Sequence, residues 1–214
     1  MNEYSFIGTM AKPISSRSAG RGSVADKHEA ILRAAVSVFA RKGYFNSKVA
    51  DIAREAGIAD GTVYLYFKSK DEILHSIFDR AMTEFITKGK HELQSLQTPI
   101  EKLRKIAEIH LERLGADRDL AIVFQVELRG STKHMQEFSA AAFSEYLDLI
   151  RKTIQEGQAD GSFRGDVKPI IAAKILYGAL DEMVTNWVLS NRQYQLAPMA
   201  GIVMSLFLDG MINR

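Results

Sequence analysis

Apolar side chains recur at helical spacing along most of the 214-residue chain, and no segment shows the period-two alternation that a half-buried β-strand requires. Helices are predicted over residues 25–42, 49–56, 61–67, 70–86 and beyond, 99–114, 117–129, 133–158, 166–191 and 196–211. The pattern therefore predicts an all-α fold.

Two very short helices separated by a glycine are predicted near the start of the chain. Val49, Ile52, Ala53 and Ala56 lie at i, i+3, i+4 and i+7, so they form one apolar stripe on a helix of barely two turns. Gly57 then ends this helix, because glycine suits the left-handed conformation that commonly follows a helix C-terminus.

The second short helix carries bulky residues for its length. Asp60 is placed to cap it, and Tyr64, Tyr66 and Phe67 supply three aromatic rings within four positions. A helix this small cannot bury all three rings. At least one of the rings must therefore face a partner. Helix, glycine turn and helix form either an ordinary αα-corner or a helix-turn-helix, whose second helix enters the major groove of DNA.

The residues of this stretch resemble the DNA-binding signature of the TetR family of bacterial transcriptional regulators, which favours the helix-turn-helix. The matching positions are Ile52-Ala53, Ala56-Gly57-Ile58, Gly61-Thr62-Val63-Tyr64, Tyr66-Phe67 and Lys70 followed by Asp71-Glu72-Ile73-Leu74.

This resemblance implies a set of DNA-binding residues around the second helix. Thr62 and Tyr64 are expected to contact the major groove, and Gly61 to allow close approach. Asp60, at the start of the helix, belongs to the same surface. The residues expected to hold phosphates are Ser47, Lys48, Tyr66 and Lys70. Ser47 is also placed to cap the first short helix.

Charge agrees with a local nucleic-acid surface. The whole chain carries a net charge of only +2, whereas eight lysines and arginines and four acidic residues between Lys27 and Lys70 give that segment a net charge of +4. The chain has no cysteine, which excludes disulfides and thiolate metal sites and fits a reducing cytoplasm. No secretory signal or membrane span is recognisable.

Composition divides the chain into three parts. Residues 1–23 are rich in serine, glycine and basic residues and are predicted to be a disordered basic tail, either without a role or acting as an arm on DNA. Residues 24–69 are predicted to be the three-helix DNA-binding domain. Residues 70–214 are predicted to be a helical domain for ligand binding and dimerisation.

The helix that begins after Ser69 connects the two predicted domains. Ser69 and Glu72 form a capping-box pattern at its start, and the long helix is a natural lever between the domains. Glu72 and His75 have a spacing used in metal sites of helical bundles, but the chain has no second such pair. We therefore expect no metal and no other cofactor.

The last two predicted helices are apolar on more than one face, as at Ile170, Ile171 and Ile175 in one and Ile202 and Leu206 in the other. Such a pair is either fully internal or covered by a second surface. The TetR resemblance favours a homodimer through these helices. The two DNA-binding domains of such a dimer, about one DNA turn apart, would then bind a palindromic operator in double-stranded DNA.

The middle of the chain is apolar and aromatic, and it forms either a solid core or a ligand cavity. Segments from Leu120 to Ser131 and from Asp181 to Val188 resemble the ligand domain of the fatty-acid-degradation regulators of the TetR family, which implies a cavity for long-chain acyl-coenzyme A. The expected ligand-binding residues are Phe85, Leu111, Phe124, Leu128, Arg129, Phe143, Tyr146, Tyr177, Asp181 and Trp187. Arg129 faces either the ligand's phosphates or a carboxylate such as Glu127 or Asp181.

These observations predict a cytoplasmic, dimeric repressor that is released from DNA by a small hydrophobic effector, with another apolar molecule as the alternative to acyl-coenzyme A. A DNA-binding activator or architectural protein without a ligand is a second alternative. The rival class is an enzyme that uses Asp181 and Glu182 as an acid–base pair, but adjacent helical residues point about 100° apart and do not converge on one atom.

Overall fold

The structure, a computed structural model, describes residues 24–127, 129, 142–190 and 194–212. Within these residues the helices are α1 Val24–Lys42, α2 Val49–Glu55, α3 Asp60–Val63, α4 Lys70–Leu93, α5 Pro99–Ala116, α6 Arg118–Ile122, α7 Ala142–Ala159, α8 Pro169–Leu189 and α9 Met199–Met211. A π-helical turn, Val123–Glu127, directly follows α6. The all-α prediction is confirmed, since the described ranges contain no β-strand beyond an isolated bridge between Phe163 and Ile212.

One predicted helix differs from the structure. The segment 117–129 was expected to be a single α-helix, but α6 ends at Ile122 and the backbone continues as the π-helical turn to Glu127. Such turns occur mostly as short interruptions in helices, frequently at functional sites. The first part of the helix predicted over 133–158 and the tail 1–23 lie outside the described residues.

Short-range signals set most of the helix ends. Gly43 follows α1 with a φ of 79°, and Gly57 follows α2 with a φ of 69°, so both adopt the left-handed conformation expected there. Ser69 Oγ accepts a hydrogen bond from Glu72 N at 3.1 Å. The Glu72 carboxylate accepts from Lys68 N at 2.5 Å instead of completing the box with Ser69 N.

Two predicted caps are wrong. The residue that caps α2 is Lys48, whose backbone N–H donates to the Asp51 carboxylate at 3.0 Å, and not Ser47. The residue that caps α3 is Ala59, and Asp60 is already the first helical residue. Helix α2 therefore begins one residue later than a cap at Ser47 would place it, and α3 one residue earlier than a cap at Asp60 would, which is the usual uncertainty of a helix end read from the sequence.

Helices α1, α2 and α3 form the head of the molecule, which has its own apolar core. These helices enclose buried side chains such as Phe39, Ile52 and Val63. The same cluster continues into the first half of α4 and includes Leu120 and Val123 from α6 and the π-helical turn. The head core therefore extends beyond the predicted domain boundary at residue 69.

A second, larger core occupies the rest of the chain. It is formed by the second half of α4 with α5, α7, α8 and α9, and it contains many fully buried aliphatic residues, among them Leu103, Ile150 and Leu176. Helix α4 contributes residues to both cores and so connects them. None of the helices in the described ranges combines the length and hydropathy needed to cross a membrane.

Candidate functional site

Tyr64, the residue that directly follows α3, is exposed to solvent on a firmly anchored scaffold. Val63 and Phe67 are buried in the head core, whereas Tyr64 is 57% exposed and Leu65 is 81% exposed. Backbone hydrogen bonds from Leu65 N to Thr62 O at 3.2 Å and from Tyr66 N to Val63 O at 3.0 Å continue the helical path beyond α3. The short helix therefore projects a tyrosine outward without losing its fold.

Most of the predicted DNA-binding residues are at least partly accessible to solvent. Lys48, Asp60 and Gly61 are exposed with Tyr64, and Thr62 and Tyr66 are half-buried. Tyr66 does not point freely into solvent, because its ring packs edge-on against His28 with ring centroids 6.5 Å apart.

The structure gives Ser47 a role that the sequence reasoning did not predict. Ser47 is buried, and its hydroxyl donates to Gly43 O at 2.6 Å. This hydrogen bond closes the turn between α1 and α2. The expected hydroxyl contact with a DNA phosphate is therefore not available in this conformation.

Lys70 also braces the turn between α1 and α2. Its ammonium donates to Tyr44 O at 2.6 Å and to Ser47 O at 2.9 Å, and it lies 4.2 Å from the centroid of the Tyr44 ring. Burial lowers the pKa of Lys70, opposed by the nearby Asp71. An ammonium has three N–H donors, so one remains for an outside acceptor such as a phosphate.

Tyr44 connects three parts of the molecule and was missed by the sequence reasoning. Its hydroxyl donates to Asp71 at the start of α4, and its backbone N–H donates to the Glu127 carboxylate at 2.6 Å. Burial, the hydrogen bond to Asp71 and the charge of Asp71 raise the pKa of Tyr44. An aromatic residue directly after the glycine that ends α1 was the one available signal.

The larger core encloses a cavity of about 310 Å³. It lies between α4, α5, the π-helical turn, α7 and α8, and its walls are mainly apolar and aromatic. The predicted ligand-binding residues that line it are Phe85, Phe124, Arg129, Phe143, Tyr146, Tyr177 and Asp181.

Two other predicted ligand-binding residues, Leu111 and Trp187, do not line this cavity. Leu111 is fully buried in the solid core beside it. Trp187 lies against the Arg118 guanidinium at 5.0 Å, and its indole N–H donates to Tyr194 O at 2.9 Å. Leu128 lies outside the described residues. Helical spacing selects residues that face inward, but it does not distinguish a cavity wall from filled core.

A connected polar network forms one side of the cavity. The buried Asp181 carboxylate accepts from Gln125 Nε2 at 2.9 Å, from the Tyr177 hydroxyl at 3.0 Å and from the Arg129 guanidinium. Thr185 Oγ1 lies 2.9 Å from Gln125 Oε1 and extends the network. Of the partners considered for Arg129, the structure selects Asp181.

The arrangement of Asp181 and Glu182 argues against an acid–base pair. Asp181 is buried at the cavity, whereas Glu182 is exposed on the other side of α8, where it accepts from Asn186 Nδ2 at 2.5 Å. The two carboxylates therefore face different surroundings, as expected for adjacent residues of a helix.

His110 is a further cavity residue that the sequence reasoning missed. It lies on α5, and its Nδ1 is 3.0 Å from the Tyr146 hydroxyl. Its Nε2 is buried and has no hydrogen-bond partner within the described part of the chain. Burial lowers the pKa of His110 to about 4, although the nearby Asp181 carboxylate opposes this shift, so the imidazole is neutral near pH 7. In the sequence, His110 stands at a position that suits an ordinary core residue, so no local signal indicated that it lines a cavity.

Helices α8 and α9 expose an apolar face. Ile171 and Ile175 on α8 and Ile202 and Leu206 on α9 are between 48% and 73% exposed. Gly178 lies one helical turn beyond Ile175, and the position that a Cβ atom would occupy there is open space. The apolar surplus predicted for this helix pair is therefore confirmed, and it lies on the surface.

A three-helix head with a projecting α3, joined to a helical domain with an internal cavity, defines a helix-turn-helix DNA-binding protein. Comparison with known protein families leads to the same class of protein. Residues 31–77 match the family described as "Bacterial regulatory proteins, tetR family", and residues 78–210 match "YsiA-like protein, C-terminal region".

Individual relatives point to the same group. The chain is 36% identical over 188 residues to the fatty acid metabolism regulator protein of Bacillus subtilis, covering 88% of this chain and 97% of the relative. The fatty acid degradation regulator FadR of Bacillus halodurans superposes with a TM-score of 0.81 at 36% identity, covering 86% of this chain and 98% of that one.

A second solved structure contains a ligand. The transcriptional regulator FadR of Bacillus subtilis in complex with stearoyl-CoA superposes with a TM-score of 0.82 at 35% identity, again covering 86% of this chain and 98% of that one. The chain described here belongs to the TetR family of transcriptional regulators. It is related to regulators of fatty acid metabolism, and it is not an enzyme.

Proposed function

We propose that this protein is a homodimeric repressor of fatty-acid metabolism genes that leaves a palindromic operator when it binds long-chain acyl-coenzyme A. The cavity carries the proposal: it is apolar along most of its walls, it has one polar side, and it lies directly beneath the head. The relative that was solved with stearoyl-CoA supports this ligand class.

The DNA-binding step uses the exposed surface of the head. Tyr64 and Thr62 on and beside α3 contact base edges in the major groove, while Lys48 and the remaining donor of Lys70 hold phosphates. The Gly61 position is open, so the DNA backbone can approach closely.

The dimerisation step uses the exposed face of α8 and α9. When two copies meet about a two-fold axis, Ile175 and Leu206 of each copy are covered by the same face of the other. Apolar surface removed from water contributes about 25 cal/mol per Å², and the open glycine at 178 allows the helices to approach. Two heads on one dimer then read two half-sites.

The effector step uses the cavity. The acyl chain replaces water along the apolar walls, and each buried methylene contributes about 0.8 kcal/mol, so affinity increases with chain length. Because effector and operator binding are linked, acyl-coenzyme A weakens operator binding by the same factor as operator weakens acyl-coenzyme A binding.

Operator binding with and without ligand tests the proposal. An operator is first selected from random duplex DNA with the purified protein, and its dissociation constant is then measured by fluorescence anisotropy at fixed salt. Palmitoyl-coenzyme A is expected to weaken operator binding and to raise the melting temperature of the free protein. Octanoyl-coenzyme A, whose acyl chain is shorter, is the matched control and should do both less strongly.

The possible outcomes separate the parts of the proposal. Tight binding to a palindrome without any response to acyl-coenzyme A of any chain length would contradict the effector and leave a repressor that answers another hydrophobic molecule. If the selection from random DNA yields no palindromic sequence, the proposal that a dimer binds an operator through its two heads is contradicted.

A further inference from the structure

Within the described residues, the polar side chains that line the cavity have hydrogen-bond partners, and one buried ring nitrogen has none. The Asp181 carboxylate accepts hydrogen bonds from Gln125, Tyr177 and Arg129. The Arg113 guanidinium donates to Glu84 at 2.9 Å. The remaining group is His110, whose Nε2 is buried and unpartnered within the described residues. A buried polar atom without a partner costs about 1–3 kcal/mol, so a site that retains one has a reason to do so.

The hydrogen bond on the other side of the ring determines what Nε2 offers. Burial raises the pKa of Tyr146, so its phenol keeps its proton. That proton is satisfied if the hydroxyl donates to His110 Nδ1, 3.0 Å away. The opposite arrangement would leave both the phenol proton and the Nε2 lone pair unsatisfied. The neutral imidazole therefore carries its hydrogen on Nε2, where no group of the described residues accepts it, and His110 is one of the residues that line the cavity.

The surrounding charges select a neutral acceptor for this donor. The two cations that line the cavity in the described part of the chain are both paired, Arg129 with Asp181 and Arg113 with Glu84. A carboxylate or phosphate placed at Nε2 would therefore find no unpaired cation among the described cavity residues to balance its charge. A carbonyl oxygen without formal charge meets the donor without that penalty.

We propose that His110 Nε2–H donates a hydrogen bond to the thioester carbonyl of the effector and thereby makes the cavity selective for acyl thioesters. This inference rests on the proposed function, because it names the contact that fixes the acyl group in that same cavity. Among the atoms of a saturated acyl chain, the carbonyl oxygen is the one hydrogen-bond acceptor. His110 then defines where the apolar tail ends and the polar part of the ligand begins.

A pair of ligands that differ at this oxygen tests the inference with the unaltered protein. Palmitoyl-coenzyme A and S-hexadecyl-coenzyme A, its thioether analogue, have the same carbon number but only the first has the carbonyl. Isothermal titration calorimetry below the micellar concentration is expected to show about tenfold tighter binding of the thioester, the effect of one buried hydrogen bond. Without this bond the thioether should bind equally well or better, since it has no carbonyl to desolvate.

Two variants identify the donor. His110→Leu should reduce the preference for thioester over thioether from about tenfold to about onefold, and Tyr146→Phe should also reduce it, because the hydroxyl no longer selects the Nε2–H tautomer. His91→Leu, the same change at an exposed histidine outside this cavity, should keep the wild-type preference.

The results distinguish this inference from the proposed function. Equal affinity of wild-type protein for the two ligands, or an unchanged preference in His110→Leu, overturns the His110 contact and leaves the acyl-coenzyme A effector in place. Failure of either ligand to bind overturns both. If His110→Leu does not fold, the comparison of the two ligands on wild-type protein still decides.

Discussion

The backbone N–H of Tyr44 donates to the carboxylate of Glu127 at 2.6 Å, which joins the turn after α1 to the end of the π-helical turn. Two other residues of the same π-helical turn, Phe124 and Gln125, line the cavity, and Gln125 is hydrogen-bonded to Asp181. One turn of five residues therefore touches both the cavity and the head.

We expect Glu127→Ala to weaken communication between the two sites while each site still binds its own ligand. The substitution removes a hydrogen bond to a charged group, a type of bond that contributes about 1.5–3 kcal/mol, and so it detaches the π-helical turn from Tyr44. The measurement is the ratio of operator dissociation constants with and without palmitoyl-coenzyme A. This ratio should fall by about tenfold.

Glu127→Gln is the matched control for this prediction. The amide oxygen can still accept from Tyr44 N, although without the charge, so the ratio should lie between those of wild type and Glu127→Ala. A wild-type ratio in both variants would show that the hydrogen bond between Tyr44 and Glu127 does not transmit the signal.

Local signals explain why much of the head could be predicted from the sequence. Helix ends at Gly43 and Gly57 depend on the conformation of single residues, and the exposure of Tyr64 follows from the size of its short helix. These features involve neighbours within one or two turns of the chain. The all-helical fold likewise follows from a periodicity that each segment carries by itself.

Contacts between distant segments explain what could not be predicted. Tyr44 and Glu127 are 83 residues apart, and nothing in either local pattern indicates the other. Leu111 and His110 are adjacent on α5 and both buried, yet only His110 lines the cavity. Which of two inward-facing residues meets open space depends on the packing of several helices together.

We predict that Tyr64→Ala weakens operator binding without lowering the stability of the head. The ring is 57% exposed, so its removal leaves no cavity, whereas loss of a contact in the major groove costs about 1–3 kcal/mol. Fluorescence anisotropy should show a dissociation constant about tenfold higher at equal salt, with an unchanged melting temperature.

Tyr194→Ala is a suitable control because it removes a partly exposed tyrosine that lies outside the head. Its operator affinity should equal that of wild type. Wild-type affinity in Tyr64→Ala as well would remove α3 from the DNA interface.

We expect Ile175→Glu to convert the dimer into monomers. Ile175 is 59% exposed in the single chain, so a carboxylate there is tolerated in the monomer but must be desolvated, without a partner, when two copies meet. Sedimentation velocity should show the mass of one chain, while circular dichroism shows unchanged helix content. Leu65→Glu places the same charge on an 81% exposed residue of the head and should leave the dimer intact. A dimeric Ile175→Glu protein would place the interface elsewhere.

The free energy of unfolding should decrease as the pH falls from 7 to 5 because of His110. The histidine has an ordinary pKa of about 6.5 in the unfolded chain but a pKa of about 4 in the folded protein, where burial disfavours the charged ring. Between these values the unfolded chain binds more protons than the folded one, so stability present above pH 6.5 is progressively lost toward pH 4. For this one group the loss between pH 7 and pH 5 amounts to about 2 kcal/mol. Carboxylates titrate in part of the same range, so the informative quantity is the difference between wild type and His110→Leu in urea unfolding at the two pH values. The variant should lose about 2 kcal/mol less than wild type, and equal losses would show that His110 is not buried as a neutral ring.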